Sequence, residues 1–197
     1  MFIKAAEAKE VELAKKYEDI AKKFQEAIEL KKQAAEAYQA GKEDEGISFY
    51  WAGDYMNLAA EVLIKAVEAQ DTGKNKLAEK YQEAADKYEE ASKLRNNASI
   101  GNKKQAYSLD RAGKCAFLKA EALVKATEAK EVELAKKYED IAKKFQEAIE
   151  LRKEAAEAYQ AGKEDEGKSL DLESKSIFDS MIKALEILDS KRKGDYQ

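Results

Sequence analysis

The sequence predicts an all-α protein, an array of about three antiparallel helical hairpins with six long helices, arranged as a right-handed solenoid or an elongated bundle. Three observations carry that expectation: a composition suited to long helices, an internal repeat of helix-pair length, and apolar residues spaced at the helical period. Charged residues make up 39% of the 197-residue chain, proline is absent and only 9 glycines occur, which is the profile of long helices with few breaks. A chain of this length buries a sizeable core without disulfides or metal.

The repeat is nearly exact. Residues 4–46 and 125–167 align without a gap, and 40 of the 43 pairs are identical, the exceptions being Ala6/Thr127, Lys31/Arg152 and Gln33/Glu154. A diverged copy lies between them, where "LAEKYQEAADKYEEASKL" at 77–94 matches "LAKKYEDIAKKFQEAIEL" at 13–30 in 9 of 18 positions. The second halves echo one another as "LAAEVLIKAVEA" at 58–69, "LKAEALVKATEA" at 118–129 and "MIKALEIL" at 181–188. One helical-repeat domain follows, with unit 1 at about 4–69, unit 2 at about 74–129 and unit 3 at about 130–192, because units of this kind stack to bury a shared core.

Within the first unit Leu13, Tyr17, Ile20, Phe24, Ala27, Ala34 and Tyr38 recur at spacings of three, four and seven, one stripe of an α-helix. Glu12/Lys16, Glu18/Lys22 and Asp19/Lys23 add acid-before-base pairs one turn apart on the polar side. The second helix carries its own stripe in Ala52, Met56, Ala59, Leu63 and Ala66.

"AGKEDEG" at 40–46 and 161–167 joins the two helices of units 1 and 3. Gly41 and Gly162 sit where a left-handed residue ends a helix, and the acids behind them fall in the next first turn, where exposed amides favour negative charge. A calcium loop needs ligands at alternate positions over about twelve residues, a spacing absent here. The turn account leaves Gly46 and Gly167 without a role. "QDTGK" at 70–74 and "NNASIGN" at 96–102 read as further breaks. "KATEAKEVELA" at 125–135 has neither glycine nor proline, yet an unbroken helix from 103 to 160 would span roughly 85 Å and outrun its packing partners, so a turn is expected there. Its near-copy at 3–14 raises the expectation that the chain opens in the last turn of a preceding helix, as though excised from a longer array.

The acidic and basic residues, 40 against 36, alternate along the chain and leave no electrostatic footprint for nucleic acid. The longest clearly apolar run, "GISFYWAG" at 46–53, is far short of the roughly 20 residues that insert across a membrane. Lone Cys115 fits a reducing compartment such as the cytoplasm without requiring it, so export stays open; beside Ala116 and Phe117 it reads as a small core residue. With no histidine, no CxxC and no glycine-rich phosphate or dinucleotide motif, no catalytic, metal or cofactor residues are assigned and the protein is not expected to be an enzyme. Glu36 with Glu43, and Glu157 with Glu164, read as solvated faces of glutamate-rich helices.

The residues Gly53, Asp54, Tyr55, Ala59, Ala60, Lys65, Ala66 and Glu68 in "AGDYMNLAAEVLIKAVEA" resemble the second helix of a tetratricopeptide repeat. The segments at 77–94 and 111–126 are similar to the longer hairpins of SNAP-type adaptors. The resemblance implies a helical-hairpin array that binds peptides or protein partners, and it supplies no particular contact residue. The expected function is therefore a non-catalytic scaffold, the alternative being a self-assembling structural protein of coat, filament or surface-layer type. Three consecutive aromatics at 49–51 cannot all face one stripe of a helix. Either Phe49 fills the hairpin core while Tyr50 or Trp51 packs on the neighbouring unit, or Trp51 and Tyr55, which share a face, form an exposed patch. The candidate partner-binding residues are therefore Tyr50, Trp51 and Tyr55.

Overall fold

A computed structural model describes the backbone of residues 2–98 and 103–194 and the side chains of residues 10–98 and 103–190. Among the described residues the chain forms six helices and no strand: α1 (Phe2–Gln39), α2 (Glu43–Asp71), α3 (Asn75–Ala98), α4 (Lys103–Glu128), α5 (Val132–Gln160) and α6 (Glu164–Gly194). The all-α hairpin array predicted from the repeat is the fold observed. Each helix packs along its neighbours in the chain, and the contacts between units, α2 on α3 and α4 on α5, are as extensive as those within them. No described helix is long and apolar enough to cross a membrane.

The glycine turns form for the expected reason. Gly41 and Gly162 adopt φ of 72° and 76°, and the Lys42 and Lys163 amides reach back to the Ala37 and Ala158 carbonyls at 2.9 Å each, closing the helix ends with the left-handed C-terminal motif. Glu43, Asp44 and Glu45 then occupy the first turn of α2, against the positive end of its dipole. Gly46 and Gly167 also find their role. A Cβ on either would lie 2.8 Å from the ring of Tyr38 or Tyr159, so their absent side chains let each tyrosine lie over the start of the next helix. The turn at 125–135 exists as well: α4 stops at Glu128, and Glu131 enters α5 in an extended conformation without a side-chain cap. The "NNASIGN" break falls largely on residues 99–102, outside the described residues.

Links between alternate helices divide the array into two layers. Lys23 of α1 pairs with Glu89 of α3, while Lys80 and Glu90 of α3 pair with Glu139 and Lys153 of α5 at 3.0 and 2.7 Å. On the other side Lys65 of α2 meets Glu128 of α4 at 3.0 Å, and Lys125 of α4 meets Asp189 of α6 at 2.5 Å. The core between the layers is rich in alanine, with Ala59, Ala84, Ala91, Ala112, Ala116, Ala120 and Ala148 fully buried, so helix axes approach closely and larger groups such as Tyr88 and Phe145 fill what remains.

Three expectations are corrected. Asp19 and Lys23 do not pair: Lys23 crosses to Glu89, and Asp19 accepts from Lys22 at 3.4 Å instead, since a neighbouring helix offers Lys23 a less exposed partner. Tyr17 and Tyr38 lie on the predicted stripe but remain substantially exposed: Tyr17 falls by helical register to one side of the buried Ile20, Ala27 and Ala34, and Tyr38, at the end of α1, lies against the start of α2 at Gly46 with the rest of its ring open. The third is at 3–14, where α1 runs unbroken from Phe2 to Gln39, so the repeat of the α4–α5 junction forms no helix end there.

Candidate partner-binding surface

The aromatic cluster of α2 separates by depth. Tyr55 is 3% exposed; its ring stacks on Phe117 of α4 at 4.8 Å, and the Arg95 guanidinium lies 5.9 Å above it. Burial raises the Tyr55 hydroxyl pKa, with Arg95 acting against the shift. Tyr55 therefore belongs to the interior and offers nothing to a partner. Trp51, 42% exposed, and Tyr50 meet edge to face at 5.8 Å on the surface, with Lys31 Nζ 5.6 Å from the Tyr50 ring. Phe49 is half-buried. Of the three residues that sequence singled out, Tyr50 and Trp51 form a surface pair and Tyr55 is the support beneath.

A larger feature escaped the sequence. Between α1 and α3, above α2, runs an open groove of about 950 Å³. Its floor is apolar, made of Ile20, Leu63, Ala66 and Val67; the α1 wall is of mixed charge, with Lys16, Lys22 and Lys23 beside Asp19 and Glu26, and it faces the acidic Glu79, Glu83 and Asp86 on α3. Separately, each residue type looks like an ordinary helix surface; only the spacing of α1 from α3 makes a cleft of them. At one end of the cleft Lys16 Nζ donates to Gln70 at 2.7 Å, and Lys23 with Glu89 ties the two walls together. Burial opposes ionisation of Glu89, but hydrogen bonds from Lys23 and Lys93 outweigh it and hold the carboxyl below its ordinary range. A smaller groove of about 500 Å³ repeats the arrangement between α3 and α5 over α4, floored by Leu123 and Ala126.

A clasp that joins the two helices recurs in every hairpin. Lys31, Arg95 and Arg152 each lie one turn after an alanine, Ala27, Ala91 or Ala148, and each crosses to a small residue on the next helix. Cβ atoms on Gly53 and Gly113 would lie 2.9 Å from the Lys31 and Arg95 side chains; in the third hairpin Ser174 fills the place, accepting from Arg152 Nε at 3.1 Å and donating to the Ala148 carbonyl at 2.9 Å. An acid completes each clasp: Asp54 with Lys31 at 2.7 Å, Asp110 with Arg95, and Asp171 with Arg152 at 2.5 Å. The alanine, the basic residue one turn later and a small residue on the next helix recur in all three hairpins, but the pattern spans two helices and acquires meaning only from their packing.

Among the described residues no group of three metal-ligating side chains converges. Cys115 is buried, and burial pushes its thiol up to about 12. Compared with known proteins, the chain matches no family model and no curated protein matches it.

Proposed function

We propose that this protein is a non-catalytic helical-repeat scaffold that binds a protein or peptide partner in the groove between α1 and α3. The observation that carries the reading is the groove itself: an apolar floor between charged walls matches the manner in which an amphipathic helix lays its apolar face into a cleft. The tetratricopeptide-like segments of α2 favour the same reading. Tyr50 and Trp51, on the opposite side of α2 by helical register, supply a second, smaller anchoring surface of the aromatic type enriched at interfaces.

Selection of a random-peptide display library against the whole chain tests the groove. Binding peptides are expected to lose at least tenfold in affinity for a Glu79→Lys/Glu83→Lys/Asp86→Lys variant, all three being exposed rim positions, and to shift amide resonances at Ile20, Leu63 and Val67. Failure to select any sequence above scrambled controls, or selected peptides indifferent to the rim charges, would refute the proposal.

A further inference from the structure

The near-identical repeat allows one helix to report what another lacks. On α5 the residues Ala135, Tyr138, Ala142, Phe145, Ile149 and Ala156 are buried or nearly so. Part of that cover is α4, as the hydrogen bond from Lys119 to Gln146 at 2.8 Å and the shared wall of Leu123 and Ala142 demonstrate. The same amino acids recur on α1 as Ala14, Tyr17, Ala21, Phe24, Ile28 and Ala35, where only Phe24 is half-covered. Ile28 is 56% exposed, whereas Ile149 is fully buried. This stripe faces away from the groove, whose α1 wall is Lys16, Asp19, Lys22, Lys23 and Glu26.

The spacing of the stripe is a heptad. Ala14, Ala21, Ile28 and Ala35 stand seven apart, and Tyr17, Phe24 and Tyr38 take the second core position, whose remaining member, Lys31, is held instead by Asp54 of α2; apart from that residue this is the pattern of a two-helix coiled-coil seam. The flanking positions select the partner. Glu18, Gln25 and Lys32 follow one another at intervals of seven on the exposed edge. In an antiparallel pair of α1 helices that edge meets itself reversed, so Glu18 of each copy meets Lys32 of the other about a central Gln25 pair. The core is self-complementary in the same orientation: Tyr17 faces Ala35 and Tyr38 faces Ala14 of the second copy, large against small, Phe24 faces Ile28 near the axis, and Ala21 lies opposite Lys31, whose side chain stays with Asp54. The far end of the array does not match α1, because the exposed side of α6 presents Lys168, Ser169, Glu173, Lys175, Ser176, Asp179, Ser180 and Lys183, with Leu172 and Ile187 as isolated apolar residues.

We infer that two copies of this chain pair through the open face of α1, antiparallel, with the two-fold axis near Gln25. The contact is isologous, so it closes as a dimer and builds no filament. This goes beyond the groove reading and uses a separate face. The seam from Ala14 to Ala35 is about 32 Å long and buries on the order of 1,000 Å² in total, the low end for specific association, so the dimer dissociates on dilution.

Sedimentation of the full chain across a concentration series tests the inference. A monomer–dimer equilibrium is expected, with Ile28→Lys monomeric throughout while keeping its helix content, since Ile28 is an exposed position. Glu18→Lys alone should weaken the dimer at least fivefold, and Glu18→Lys with Lys32→Glu should restore it. Gln25→Cys should oxidise to a covalent dimer, whereas Glu18→Cys should cross-link only when mixed with Lys32→Cys; buried Cys115 does not interfere. A wild-type chain monomeric at millimolar concentration, growth beyond a dimer, or a dimer unchanged by Ile28→Lys would each overturn the inference. The rim variant Glu79→Lys/Glu83→Lys/Asp86→Lys should leave the dimer intact, so failure of the groove and failure of the dimer read separately.

Discussion

Tyr17 and Tyr138 occupy the same position in two copies of one sequence, and Tyr17 is 45% exposed on α1 while Tyr138 is fully buried on α5, its hydroxyl donating to Asp189 at 2.8 Å. The difference is one of neighbours: α5 packs between α4 and α6, whereas α2 is the one helix that α1 packs against extensively, Lys23 with Glu89 being its link to α3. Truncation should expose it. Tyr138→Ala removes a filled core position and a buried hydrogen bond and is expected to cost about 4 kcal/mol, whereas Tyr17→Ala in dilute solution should cost under about 1 kcal/mol. Urea denaturation of both variants checks this; equal losses would mean that α1 is covered in the free protein.

Arg152 is a second site of high leverage. It is buried, bonded through Nε to Ser174 and paired with Asp171, to which Ser108 and Tyr159 also donate, at 2.9 and 3.2 Å. Arg152→Ala strands a mostly buried carboxylate and is expected to cost about 3 to 5 kcal/mol, while Arg152→Met with Asp171→Asn should recover much of the loss, since removing both charges avoids desolvating them and the Asn oxygen still accepts from Ser108. A double variant no more stable than Arg152→Ala would count against the clasp as an ion pair.

Glu89 and Glu90 brace α3 on both sides, Glu89 toward Lys23 of α1 and Glu90 toward Lys153 of α5. In each case burial raises the carboxyl pKa and the lysine hydrogen bonds lower it by more, so the folded value lies below the ordinary 4.5. The folded chain thus binds fewer protons than the unfolded one between those values. Their stabilisation is fully present above 4.5 and is lost as pH falls through the lower folded values. Glu89→Gln with Glu90→Gln should lower the thermal midpoint at neutral pH and flatten its decline in acid; a decline as steep as that of the parent chain would assign acid sensitivity elsewhere.

Trp51 is the only tryptophan, so fluorescence reads its position without ambiguity. Its surface placement beside Tyr50 predicts red-shifted emission accessible to iodide, and Trp51→Ala is expected to change stability by no more than about 1 kcal/mol. A blue-shifted, protected emission would place the ring in a contact, and removal of Tyr50 should then shift it.

Local sequence determined the helices, the glycine turns and the apolar stripe of α2, because these follow from backbone propensity, the left-handed freedom of Gly41 and Gly162, and a 3.6-residue period that needs no partner to be legible. It also determined that the stretches 4–46 and 125–167 would be built alike. Only the tertiary structure decided what each copy became. The segment "EAKEVELA" is continuous helix at 7–14 and spans the α4–α5 turn at 128–135, where reversing the chain lets α5 pack along α4. The groove, the clasps centred on Lys31, Arg95 and Arg152, and the burial of Tyr55 were hidden for the same reason. Each depends on the distance between helices far apart in the chain, which side-chain volumes set through packing, and periodicity along one helix carries no record of it.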